Sequence, residues 1–174
     1  MRASFSIRRA TSADAALLAR QRVVMFRDMN RTTPEIEPAL LSSCERYLAT
    51  AIDTGEYVSW VAEAPGSAAT AIGGAGVQLR PLVPRPDPSG RYLLAGREGL
   101  ILNVYVDPEH RRKGVARGLM QTLIQWAPGA GIVRLVLHAS DEGRPLYQQL
   151  GFKPSNEMLF PPFLPASAVP AGGV

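Results

Sequence analysis

Between residues 98 and 139 the chain reads strand, helix, strand. The run EGLILNVYV (residues 98–106) is almost continuously apolar, as in a strand covered on both faces. Residues 113–127 carry Val115, Leu119, Leu123 and Trp126 on one helical face, and PGAG ends that helix. IVRLVLHA (residues 132–139) is again a strand. Two strands separated by a helix of this length are joined by a crossover, so they lie parallel, and such crossovers are right-handed. This half of the chain is therefore expected to be α/β.

The upstream half adds strands of the other direction. SFSIRRA (residues 4–10) alternates apolar and polar residues, as a strand does. Thr11 with Asp14 three residues on resembles a capping box and predicts a helix to about Met29. NRTTP breaks it, and Leu40, Leu41, Cys44, Tyr47, Leu48 and Ile52 recur at helical spacing, predicting a second helix from about 35 to 54. EYVSWVAEA and ATAIGGAGVQLR read as antiparallel strands joined by PGSA, with Gly73, Gly74 and Gly76 marking a bulge in the second. PLVPRPDPSG is expected to be a stiff exposed loop, because proline lacks the ladder donor. DEGRPLYQQL predicts a short helix stopped by Gly151, and Phe152 opens a closing strand near EMLF. The sum is one domain over residues 1–165 with a sheet of mixed direction, and a frayed tail over 166–174.

Charge and composition exclude several classes. The net charge of +4 comes almost wholly from arginines; Lys113 and Lys153 are the only lysines. There is no basic stripe interleaved with aromatics, so a nucleic-acid partner is not expected. One cysteine cannot make an internal disulfide, which fits a reducing compartment. Cys44, His110 and His138 have no metal-ligand spacing, so no metal is expected. No signal-like stretch and no run of about 20 apolar residues occurs. The expected location is the cytoplasm, with no membrane partner.

The chemistry concentrates where the 98–106 strand meets its helix, in VYVDPEHRRKGVARGLM. A helix start presents unpaired N–H groups and partial positive charge, and anions bind there. Gly114 permits close backbone approach, Ala116 stays small, and Arg111, Arg112, Lys113 and Arg117 surround the spot with charge. A pyrophosphate needs such converging donors. The spacing is neither a Walker loop nor a three-glycine dinucleotide fingerprint. On these residues alone, an anion cradle and a plain basic helix cap both remain open.

The stretch resembles the acyl-CoA-binding motif of the GNAT acetyltransferase superfamily, Arg/Gln-x-x-Gly-x-Gly/Ala after a strand ending in Val-x-Pro. Here it is Arg111-x-x-Gly114-x-Ala116 after Val106-Asp107-Pro108. PLYQQLGF (residues 145–152) is similar to that family's Leu-Tyr-x-x-Leu-Gly-Phe ending, and the two motifs stand in family order with a strand between them. The resemblance covers residues 100–152; upstream, only the order of elements matches. It implies a GNAT-like α/β fold: a mixed, mostly antiparallel central sheet flanked by helices, with a parallel strand pair splayed around the coenzyme.

It also implies roles. Backbone amides of Arg111, Arg112, Lys113, Gly114, Val115, Ala116 and Arg117 would hold the pyrophosphate of acetyl-CoA. Val104, Tyr105 and Val106 would pair with the pantetheine arm. An N–H near Asn103–Val104 would polarise the acetyl carbonyl. Tyr147 stands at the general-acid position, against the alternative of a packed helix tyrosine. Ser140 would replace the family's coenzyme-contacting Asn, and Arg112 stands where the family often has glycine. Asn103 is either a substrate contact or a satisfied amide. Glu98 is a candidate base, with a water chain as its alternative; His138 reads as an ordinary satisfied histidine. The implied activity is acetyl transfer from acetyl-CoA to a primary amine, on a small molecule or peptide, by direct attack in a ternary complex. The rivals are a non-catalytic acyl-CoA-binding or regulatory module and, more weakly, a nucleotide or nucleic-acid binder. The first two helices and the proline-rich loop would form the acceptor pocket, and family resemblance suggests a homodimer.

Overall fold

The computed structural model describes residues 5–66 and 70–159. Its sheet has five strands in sequential order. Ser6–Arg9 (β1), Tyr57–Ala64 (β2), Thr70–Pro86 (β3) and Leu93–Val106 (β4) run antiparallel to their neighbours, and Ile132–Leu137 (β5) lies parallel to β4. Two helices, Ala15–Asp28 (α1) and Glu37–Asp53 (α2), cover one face; Val115–Trp126 (α3) covers the other. The strand–helix–strand reading of the second half is thus the observed β4–α3–β5 crossover. The fold is the mixed, mostly antiparallel α/β arrangement expected.

Each face has its own core, because β-strand side chains alternate. Leu119, Met120 and Leu123 of α3 pack on Val58, Ile72, Val77 and Ile101. Leu18 and Ala19 of α1 with Leu48 and Ala51 of α2 pack on Tyr57 and Val61. Thr11 and Asp14 form the expected capping box, around a short 3-10 turn that precedes α1.

Two expectations fail. The proline-rich segment is not a loop but a β-ribbon: β3 continues to Pro86, and β4 begins at Leu93. Pro81 lies opposite Arg97 and Pro86 opposite Leu93, while Val83 and Pro84 fall in a register skip between Leu82 and Arg85. β2 pairs with β3 no further than Gln78, and β5 pairs with β4 no further than Arg97. Beyond those points each strand has a free edge, where proline is tolerated. Asp87 closes the ribbon by accepting from the N–H groups of Tyr92, Ser89 and Arg91, which hold its carboxyl down at about 2. Second, no strand forms over residues 152–159; Phe152 turns back against Tyr147 instead, and Pro154 removes a ladder donor. Residue 160 and the expected tail over 166–174 lie outside the described residues. The expected bulge in β3 is present beside Gly73: Ala62 pairs with Gly73 and Glu63 with Ala71, so Ile72 is the extra residue. A second bulge lies on β4, where Gly74 pairs with Tyr105 and Gly76 with Leu102, so Asn103 and Val104 together oppose Ala75.

The glycines also give α1 and β2 close approach. A Cβ on Gly74 would lie 2.5 Å from Gln21 Oε1, and one on Gly76 would lie 2.0 Å from the Tyr57 hydroxyl oxygen. Tyr57 is fully buried and cannot swing away. Gly76→Ala is therefore expected to destabilise the protein by about 1–3 kcal/mol through overpacking. Thermal unfolding should show a Tm about 2–4 °C lower per kcal/mol lost; an unchanged Tm would mean that Tyr57 is not held as described.

Candidate active site

The site begins where the sheet stops being regular. Parallel pairing of β4 with β5 ends at Ile101 opposite Leu137. One residue later β4 leaves register with β3, and Asn103 takes φ 57°. Asparagine tolerates this left-handed region better than most residues. Asn103 and Val104 are thus without ladder partners on either side, just past the point where the parallel pairing ends.

The bulge is locked by side chains from three elements. Asn103 is 7 % exposed. Its Oδ1 accepts from Arg22 of α1, and its Nδ2 donates to the Tyr57 hydroxyl at 2.8 Å. Burial pushes the Tyr57 phenol far up, so it stays protonated and can accept this bond. The Asn103 amide is thus satisfied at both ends, while its backbone carries the bulge.

Across the strand break, the start of α3 is a run of unclaimed donors. Arg111 N–H donates to Pro108 O, and Gly118 N–H to Gly114 O. Among the described residues, the N–H groups of residues 112–117 find no acceptor. Gly114 caps α3 at φ 85°, and a Cβ there would meet nothing within 4 Å. Glycine is needed for the backbone turn, and the space beside it is open. Arg112 also sits in the left-handed region, at φ 59°.

The side chains around that run have different partners. Arg111 Nε donates to Val106 O at 3.0 Å, and its guanidinium pairs with Asp28, tying β4 to α1. Arg117 reaches Gln149 of the short helix Arg144–Gln149 (α4). Arg112 and Lys113 are exposed and make no hydrogen bond or ion pair among the described residues. Val115 is buried beneath the run, and Ala116 is partly buried against the same core. Tyr105 and Val106 continue β4 as buried residues below the bulge.

α4 closes the site from the α3 side. Ser140 Oγ accepts from Gly143 N–H at 3.2 Å, capping the turn before α4. Tyr147 stands edge-on to Phe152, with ring centroids 6.2 Å apart, and packs against the core cluster that Val104 and Leu137 also join. Its hydroxyl makes no hydrogen bond among the described residues. Burial raises its pKa, so it keeps its proton. His138 lies exposed beside Glu157.

On the opposite face a cavity of about 280 Å³ opens between α1, α2 and the sheet. Arg22, Tyr47, Gln78, Leu102 and Asn103 line it; Gln78 Nε2 donates to the Tyr47 hydroxyl at 2.8 Å. Both helices contribute to this cavity, and the proline-rich ribbon does not. It covers a separate open groove, where buried Glu98 is held between Arg80 and Arg134. Arg22, Tyr57 and Gln78 line this cavity without being marked by the sequence, because nothing in their own neighbourhoods shows that Arg22 and Tyr57 meet Asn103 or that Gln78 meets Tyr47.

Arg112 offers a direct check on the α3 turn. Arg112→Gly relieves the left-handed strain but loosens the unfolded chain, so stability should change by no more than about 1 kcal/mol. If the backbone of this turn does the binding, affinity for acetyl-CoA, measured calorimetrically, should change by less than about threefold, well under 1 kcal/mol. A tenfold loss would show that the side chain takes part.

The sequence profile of the acetyltransferase (GNAT) family matches residues 23–152. Human N-acetyltransferase 8 is 29 % identical over 104 residues, covering 58 % of this chain and 40 % of that protein. Glucosamine 6-phosphate N-acetyltransferase of Trypanosoma brucei brucei is 29 % identical over 82 residues, covering 47 % of this chain and 50 % of that one. The chain thus spans half or less of the length of these curated relatives. Among solved structures, a GCN5-related N-acetyltransferase from Ralstonia eutropha JMP134 superposes with TM-score 0.77 at 32 % identity, covering 90 % of this chain and 97 % of its own. A predicted acetyltransferase from Clostridium acetobutylicum, crystallised with acetyl-CoA, gives TM-score 0.73 at 27 % identity over 91 % of this chain and 96 % of its own. The match spans the end of the β4–β5 pairing, the α3 turn and α4 together, and the chain belongs to the GNAT acetyltransferase family.

Proposed function

We propose that this protein transfers an acetyl group from acetyl-CoA to a primary amine by direct attack within a ternary complex. The observation that carries the reading is the coincidence of a strand break at Asn103–Val104 with an unclaimed run of amides at residues 112–117. The first accommodates a thioester between β4 and β5, and the second accommodates a pyrophosphate.

In this reading the coenzyme lies along Val104, Tyr105 and Val106, with its pyrophosphate on the backbone of residues 111–117 and Ser140 beside it. The amine enters from the cavity between α1 and α2. Its lone pair attacks the thioester carbonyl carbon, and an N–H of the bulge stabilises the oxyanion. When the C–S bond breaks, the electron pair goes to sulfur, and Tyr147 donates the proton that makes the free thiol. The amine's surplus proton leaves to water. Glu98 is not assigned this task, since two guanidinium groups already hold its carboxylate. Holding both reactants across one strand supplies proximity, and no metal is invoked.

Two measurements test this. Acetyl-CoA should raise Tm, and no shift at millimolar ligand would remove both the enzyme and the non-catalytic acyl-CoA-binding module. Thiol release with a panel of amines then separates them: binding without release on any amine supports the module.

A further inference from the structure

The acceptor cavity has a charge pattern that specifies more than "an amine". Among the described residues, Arg22 is the only charged side chain lining it. The guanidinium is fixed twice, by its bond to Asn103 Oδ1 and by stacking 4.7 Å over the Phe26 ring. No carboxylate pairs with it among the described residues. One of its N–H donors serves Asn103, and the remainder of a planar five-donor fork has no protein acceptor there.

The neighbouring floor repeats the sign. Glu98, Leu100 and Leu102 alternate on one face of β4, opposite Arg80 and Gln78 of β3, and Leu102 packs on the α1–α2 side. The one carboxylate on this strip, Glu98, is already shared by Arg80 and Arg134. A plain alkylammonium would meet uncompensated like charge here. An amine that carries its own carboxylate would instead bring a partner for Arg22, which suits bidentate pairing.

We infer that Arg22 binds the carboxylate of a small amino-acid-like acceptor, placing the adjacent amine at the Asn103–Val104 bulge. The inference rests on the acetyl-transfer reading and narrows it. The cavity is near the lower end of ligand-site sizes, so the acceptor is of amino-acid size, not a folded protein terminus. Leu48, Leu102 and the Tyr47 ring give it apolar walls, which suit an apolar or aromatic side chain. The guanidinium also disfavours an ammonium beside it and so promotes the free amine that attacks.

The test compares L-leucine and L-phenylalanine with their amides, which keep the amine and lose the charge. With wild-type protein, kcat/KM should favour each free acid by about 10-fold or more, the scale of one charge-assisted hydrogen bond. The amide's amine deprotonates more readily, so the comparison is biased against this outcome. In Arg22→Gln the acid-to-amide ratio should fall to about two or below, and Arg22→Lys should restore part of it. Calorimetric titration of the CoA-loaded protein with the same four compounds should show the same preference without turnover. Equal use of acids and amides, a ratio unchanged in Arg22→Gln, or turnover confined to neutral or phosphorylated amines would overturn the assignment while leaving acetyl transfer intact. Failure to bind acetyl-CoA would instead remove the reading beneath it.

Discussion

Tyr147→Phe should lower kcat by about 100-fold or more, the usual contribution of a positioned proton donor, with the Kd for acetyl-CoA unchanged. Three features of the residue carry the expectation. Its ring is held by Phe152 and the α3 core, so phenylalanine keeps the packing and loses only the hydroxyl. That hydroxyl has no protein partner among the described residues, so its removal leaves no orphaned group. Burial raises the phenol pKa from its usual 10.0, so the donor form persists through neutral and mildly alkaline pH. The sign follows: the donor is lost only as pH rises through the raised value, so no alkaline fall in kcat below about pH 10 should trace to this residue. Stopped-flow thiol release and calorimetric acetyl-CoA binding separate the two effects. A variant as active as wild type would return Tyr147 to a packing role and hand the proton to water.

How much of this was legible beforehand depends on whether the signal was local. The β4–α3–β5 crossover was legible, because an apolar run, a helical stripe and a second apolar run are each written in contiguous residues. The α3 turn was legible for the same reason: Gly114 and Ala116 declare a bare helix start without reference to any other element. Arg112 and Arg111 were only half legible. Three cations in one turn left charge and backbone both open as the anion-binding element; the fold gives Arg111 to Asp28 and Val106 and leaves the backbone amides unclaimed. The proline-rich ribbon was misread because proline argues against a paired strand, and whether a strand has a free edge depends on where its neighbours stop. Only one of two bulges was legible: the glycines that mark the β3 bulge are visible in sequence, whereas the extra residue on β4 is a matter of register between two strands. The same limit hid Arg22 and Tyr57. They meet Asn103 across 81 and 46 residues of sequence, and no local pattern encodes such a meeting.

Gly114→Val should weaken acetyl-CoA binding by about 100-fold, or ~2.7 kcal/mol, while the protein stays folded. The two halves of that expectation have separate causes. At φ 85° a β-branched residue is strained, at a cost on the order of 1–2 kcal/mol, and the turn responds by shifting. Because the N–H groups of residues 112–117 work as a converging set, a shift of the first helical turn misaligns several at once. The new side chain also enters the open space beside Gly114, where a Cβ has no neighbour within 4 Å and a pyrophosphate would lie. That same openness leaves the added Cβ without a neighbour to displace, so unfolding should remain cooperative with a Tm lowered by only a few degrees. Calorimetric titration with acetyl-CoA and with 3′-dephospho-CoA reads the loss; both ligands should weaken alike, since they share the pyrophosphate. Replacing Lys113 by Ala, which removes an exposed charge but no amide, should cost less than about 1 kcal/mol in the same assay. If the order is reversed, with Lys113→Ala the more damaging, the site binds through side-chain charge and the α3 turn is only its scaffold.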